Sequence, residues 1–316
     1  MKIVNKTKKL SELENGRCYI FHDRIYMKID IESVKENPTR TAFENALKKM
    51  DDQSISSYSS LGTLELLDTI TSKELYDLYL NMLHHSIVDI FIIGDLEEKD
   101  ILNNNDLINK LFNLLNDDKR KDCIQPVRNF VDNKEVDKVK YYEEDSNYLQ
   151  SQLVMLYNTN KLTKKEQDVT MLLFNYIFGS GGLNSKLYSL VREKNGYCYQ
   201  INSSYYKFDN ILRVSSSLNK KNAKHTIELV NKCLKDMQDG NFTEDDLKDA
   251  KQSMILTLNY YKNSINSLLQ VFENKLLNDG ISIEEKIEII ATINKQDIIN
   301  VAKKIRENTN YLLNEE

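Results

Sequence analysis

A chain of 316 residues, 41% hydrophobic and 29% charged, has the length for two domains and the composition of a folded globular protein. Two prolines and nine glycines exclude a fibrous or compositionally disordered chain and favour long regular elements. A net charge of −5 excludes any global electrostatic pull on nucleic acid or anionic lipid.

In chain order, the first sixteen residues, MKIVNKTKKLSELENG, are charged and carry no apolar h-region, which argues against a signal peptide. Thr71-Ser-Lys-Glu74 fits a capping box, with Leu75, Leu78, Tyr79 and Met82 at helical spacing behind it. Ser86 to Ile93 reads as a buried strand ended by Gly94-Asp95, and its apolar core is too short to span a bilayer. Asn103 to Asn105 is a short polar tract in an expected helix. The mixed-sign cluster Asp117 to Asp122 reads as a solvated face. The stretch from Asn116 to Asp137 is charged, carries Pro126 and lacks periodicity, so it marks the domain boundary. The expected domains are 1–118 and 137–316.

Further along, Val136 to Glu143 and Tyr148 to Tyr157 read as a hairpin across Glu144 to Asn147, with Leu149, Ser151, Leu153, Met155 and Tyr157 on one face. Thr163-Lys-Lys-Glu166 is a second capping box, followed by Val169, Leu172, Leu173, Tyr176 and Ile177. Tyr197 to Lys207 and Ile211 to Leu218 read as another hairpin across Phe208 to Asn210. Helices are expected over 222–239, 244–278 and 283–305, the last broken near Asn294 and opened by the box Ser282-Ile-Glu-Glu285. Gly179, Gly240 and Gly280 are expected to end helices in the left-handed conformation. The pattern is α+β: antiparallel or mixed sheets with helices packed on one face, in two domains.

The chemistry-bearing residues exclude more than they offer. Cys18, Cys123, Cys198 and Cys233 form no CxxC pair, so a reduced cytoplasmic compartment is the simplest account. Cys198, beside Tyr197 and Tyr199 in an expected strand, reads as a packing residue. His22, His84, His85 and His225 supply neither H-E-x-x-H nor H-x-x-E-H. His84 and His85, adjacent on a helix, diverge by about 100° and do not chelate together. Gly179-Ser180-Gly181-Gly182 follows a helix rather than a strand, which excludes an esterase elbow and a phosphate loop and leaves a flexible turn.

From Gly181 the sequence runs Gly181-Gly182-x-x-Ser185-x-Leu187-Tyr188-x-x-Val191-Arg192-Glu193-Lys194-x-Gly196-x-x-Tyr199. This resembles a C-terminal-domain signature of the pitrilysin/insulinase family of inverted-motif zinc peptidases. In register with it, Tyr148 to Val154 is similar to the family's opening strand, Phe242 to Lys251 to a helix start and Ile293 to Ala302 to the closing helix. Ser60 to Leu75 and Ile87 to Asp95 are similar to the second half of a family N-terminal domain, and Leu13-Glu14-Asn15-Gly16 to its first strand. Only about 45 residues separate Gly16 from the Gly62 segment, and no H-x-x-E-H lies among them. The resemblance therefore implies a shortened N-terminal domain without the metal motif.

It also implies roles. Arg192 and Tyr199 fall where the family contacts substrate near the scissile carbonyl, on a loop shaped by Gly181, Gly182 and Gly196. A guanidinium and a phenol are suitable donors to a peptide carbonyl. Without a metal-activated water the chain alone is not expected to cut peptides, and no catalytic or metal-binding residue is assigned. No cofactor is expected on this chain; zinc belongs to a partner. The implied function is a catalytically inactive subunit that pairs with a zinc-bearing paralogue, or self-associates, and helps bind peptide or protein substrate. No nucleic acid or membrane partner is expected. The alternative is a non-enzymatic protein-binding or assembly module on the same fold.

Overall fold

Asn37 opens the first well-packed helix: its side chain accepts from the Arg40 amide, and Pro38 at the first helical position has no amide to leave unpaired. The computed structural model describes residues 27–85, 91–95, 97, 99, 106, 110, 131–278 and 280–315. The chain divides into two compact units, Met1–Glu36 with Ser59–Val127, and Asn37–Tyr58 with Arg128–Glu316.

The helix opened by Asn37, α1 (Pro38–Met50), belongs to the second unit. The sequence reading put these residues in the first domain. They pack elsewhere because Ala42 and Ala46 are small enough to bring the helix backbone onto the second unit's sheet. There they bury against Val154, Leu156, Ile211, Tyr311 and Leu313. In the first unit, α2 (Leu64–Thr69) is capped by Thr63 and α3 (Ser72–His85) by Thr71. The expected Thr71–Glu74 box is present, with Glu74 Oε2 accepting from the Thr71 amide at 2.8 Å. The strand read over Ser86 to Ile93, the tract at Asn103 and the cluster at 117–122 lie wholly or largely outside the described residues.

The second unit is built on one five-stranded mixed sheet, ordered β1-β5-β2-β4-β3. Its strands are β1 (Lys140–Tyr148), β2 (Ser151–Asn158), β3 (Cys198–Tyr206), β4 (Ile211–Leu218) and β5 (Arg306–Glu315). The hairpin expected between the first two strands does not form. Glu144 to Asn147 lie inside β1, and β5 inserts between β1 and β2, parallel to the first and antiparallel to the second. The second hairpin forms as expected, with β3 antiparallel to β4 across a turn in which Asn210 takes a φ of 50°.

The main helix layer covers one face of this sheet, and α1 packs on the opposite face. The central helix of that layer, α4, is a continuous run through Glu166–Thr170, Met171–Asn175 and Tyr176–Ser180, with π turns at both ends. It is buried on nearly every side, as a helix between a sheet and an outer layer must be. After α5 (Tyr188–Glu193), the outer layer is α6 (Ala223–Gln238), α7 (Glu244–Tyr261), α8 (Ile265–Asn278), α9 (Ile283–Thr292) and α10 (Lys295–Ala302). Leu153, Met155, Tyr157, Leu212, Val214 and Leu312 project from the sheet into this layer.

The helix expected over 244–278 is split at Lys262 to Ser264, and the break near Asn294 is a third type of capping box, Asn294 with Asp297. Of the three glycines expected to end helices in the left-handed region, only Gly240 does so, at φ 79°. Gly179 lies within α4, where a Cβ would collide with Ser203 and Leu187; close packing on β3, not a left-handed turn, requires glycine there. Gly280 has no positive φ and lies against the Asn274 carbonyl.

Candidate functional site

The residues Gly181 to Tyr199 form a turn, a short helix and the start of β3. Gly181 accepts no side chain because an added Cβ would sit 2.6 Å from the Tyr176 carbonyl oxygen. Gly182 then takes φ 62°, which only glycine adopts cheaply. Ser185, nearly fully buried, ties the turn down: its hydroxyl donates to the Gly182 carbonyl at 2.8 Å and accepts from the Tyr188 amide at 3.3 Å. Leu183, at the tip, is exposed.

Leu187 at the start of α5 and Val191 within it are buried in the core, and Arg192 is turned outward. The Arg192 guanidinium lies over the Tyr188 ring, 4.9 Å from its centre. The helix ends where the Gly196 amide donates to the Arg192 carbonyl at 3.0 Å and the Tyr197 amide to the Val191 carbonyl at 3.2 Å. Gly196 makes that ending with φ 63°.

Tyr199 follows in β3 at a bulge: Cys198 pairs with Leu218 and Gln200 with the very next residue, Ser217. One extra residue on one strand breaks the alternation of side chains. Cys198 and Ile201 both stay in the helix-side core, and Tyr199 and Gln200 are both exposed. The Tyr199 hydroxyl is held by Asn219, whose Nδ2 donates to it at 3.2 Å. Burial pushes the Cys198 thiol up, opposed by the Ser216 hydroxyl and by the charge of Arg192. Cys198 is therefore a neutral packing residue. The fold thus places Arg192 and Tyr199 exposed at one corner of the sheet, each with a side-chain support.

Of those supports, Tyr188 stands in the quoted signature without a role, and Asn219 was not singled out by sequence reasoning. The spacing of four between Tyr188 and Arg192 was a usable signal for the first, since such residues share a helix face. The hairpin register was a usable signal for the second.

A zinc centre does not fit the donors present. H-x-x-E-H is absent from the whole sequence, and among the described residues no three His, Cys, Asp or Glu side chains gather to hold an ion. His225 is exposed, stacked on Tyr197 at 5.5 Å. Among the described residues no helix is long and apolar enough to cross a membrane.

The family model described as "Peptidase M16 inactive domain" matches residues 69–254. The chain belongs to that family. The M16 inactive domain assignment agrees with the insulinase-like resemblance of the Gly181 to Tyr199 segment and with the absent metal motif. Among curated proteins, the chain is 25% identical over 299 residues to "Probable inactive metalloprotease YmfF" of Bacillus subtilis, covering 93% of this chain and 67% of that protein. Two crystal structures share the fold. A conserved protein from Enterococcus faecalis V583 has a TM-score of 0.82 at 24% identity, over 94% of this chain and 68% of that one. A peptidase M16 inactive domain from Pseudomonas fluorescens has a TM-score of 0.74 at 17% identity, over 94% of this chain and 70% of that one.

Proposed function

We infer that this M16-family chain is the non-catalytic half of a two-component peptidase. It pairs with a zinc-bearing paralogue and holds peptide substrate through Arg192 and Tyr199. The observation that carries this reading is the corner at the start of β3. A bulge exposes Tyr199, Asn219 positions its hydroxyl, and α5 presents Arg192 on a Tyr188 platform at the same end of the strand. Two exposed donors, each held by a neighbour, are what a peptide carbonyl needs and what a purely structural corner does not. Free buried thiols at Cys198 and Cys233 suit a reducing, cytoplasmic setting.

The test is purification of the complex from source cells, with intact mass and zinc content, followed by reconstitution. The expected partner carries H-x-x-E-H and one zinc, while this chain alone holds no stoichiometric zinc. Arg192→Ala and Tyr199→Phe should each depress cleavage by the complex without weakening assembly. Peptidase activity that follows this polypeptide purified alone would refute the reading. Unchanged cleavage in both variants would favour a pure assembly module.

A further inference from the structure

Arg213 sits on β4, one strand in from the sheet edge, on the face opposite the helix layer. It pairs in register with Ser204 of β3, and among the described residues β3 has no strand neighbour other than β4. The Arg213 guanidinium leans across that pair towards the edge, with Nη2 3.4 Å from the Ser204 hydroxyl. It lies against two rings, 4.4 Å from the centre of Phe43 on α1 and 5.2 Å from that of Tyr206 on β3. Those rings stack on one another at 5.1 Å.

No carboxylate pairs with this cation among the described residues, and its Nε is buried with no hydrogen-bond acceptor. A half-buried guanidinium with no carboxylate partner in its own fold is costly, which calls for an explanation. The next rung towards Tyr199 repeats the pattern. Asn202 pairs with Ser215, and both Asn202 Oδ1 and Ser215 Oγ lack partners. One rung further, Ser217 and Thr39 are satisfied by Gln152. A polar track therefore runs along β3 and β4 from the bulge at Tyr199 to Arg213, and its unpaired groups cluster at the Arg213 end.

We propose that Arg213 is a specificity residue, which receives an acidic side chain of an extended peptide added to the edge of β3. The proposal rests on the peptide-holding reading above. Tyr199 and Ser204 are five positions apart, so at about 3.3 Å per residue the acidic side chain lies roughly five residues from the one held at Tyr199. A carboxylate is the ligand class because a planar guanidinium fixed against a pair of aromatic rings offers a two-pronged fork that matches it. Strand addition supplies register, and Arg213 supplies the preference.

The experiment uses the full chain and fluorescein-labelled decapeptides of Ala, Ser and Thr, each carrying one Asp at a stepped position, beside Asn twins. Binding is read by fluorescence polarisation. In one register the Asp peptide should bind roughly tenfold more tightly than its Asn twin, the scale of a charge-assisted hydrogen bond. Arg213→Gln should erase that preference and leave the Asn peptides within about twofold; Arg213→Lys, which keeps charge but loses the fork, should retain only part of it. Equal affinity of Asp and Asn twins in every register of the wild type would overturn the proposal while leaving the grip at Tyr199 intact, and needs no variant to fold. A preference that survives Arg213→Gln would also overturn it. Failure of every peptide to bind would overturn both readings.

Discussion

The Arg192 guanidinium rests over the ring of Tyr188, four residues earlier on α5, at 4.9 Å from the ring centre. The contact uses helix geometry to aim a side chain that otherwise has many rotamers. An exposed cation–π pair is worth about 0.5–1 kcal/mol. Tyr188→Ala is therefore expected to weaken peptide binding by about two- to fivefold, with circular dichroism unchanged. A titration of one peptide against wild type and variant measures this.

The three loop glycines should respond differently to alanine. Gly196→Ala and Gly182→Ala meet no atom within 4 Å but must hold φ near 60°, so each should cost about 1–2 kcal/mol. Gly181→Ala has an ordinary φ but drives its Cβ against the Tyr176 carbonyl, which belongs to the backbone of α4 and cannot move alone. It is expected to be the most destabilising of the three in urea unfolding.

Docking of α1 depends on two alanines with no exposed surface. Ala46→Leu should overfill the contact with Val154, Leu156 and Tyr311 and cost about 1–3 kcal/mol. A thermal melt showing no change would mean that α1 is not packed on this sheet in solution.

The same helix is tied by charge. Lys49 Nζ lies 2.8 Å from Glu144, the Tyr311 hydroxyl donates to the same carboxylate at 2.6 Å, and Asn45 donates to Tyr311 at 3.0 Å. The hydrogen bonds from Lys49 and Tyr311 hold the Glu144 carboxyl below the usual carboxylate range. A carboxyl with a depressed folded pKa stabilises the fold above its unfolded pKa of about 4.3 and loses that contribution as pH falls through the folded value. Glu144→Gln should therefore lower the melting temperature at pH 7 and narrow its difference from wild type as pH drops below about 4. A difference that stays constant with pH would show that the pair is screened.

Much of the second unit was legible in sequence because its signals are local. The Thr163, Ser282 and Thr71 boxes each satisfy an orphan amide within one turn, so residue identity at two positions suffices. The β3–β4 hairpin was readable from two apolar runs around Asp209-Asn210. β5 was not, because its Asn308, Asn310 and Asn314 look like loop residues. They are nonetheless buried, with donors satisfied by the Lys134 carbonyl, Glu307, Glu143 and Asp145. Three of those four partners precede β5 by more than 160 residues, beyond the reach of any periodicity argument.

The sequence by itself determined the family resemblance, the absence of the metal motif and the pairing of Arg192 with Tyr199 as candidates. Those depend on residue types at short, fixed spacings. Only the tertiary structure decided that α1 packs on the second unit's sheet, that β5 separates β1 from β2, and that a bulge turns Tyr199 outward beside Asn219. Each is a choice among non-local partners, settled by which surfaces bury the most apolar area against one another, and no window of neighbouring residues contains both sides of that choice.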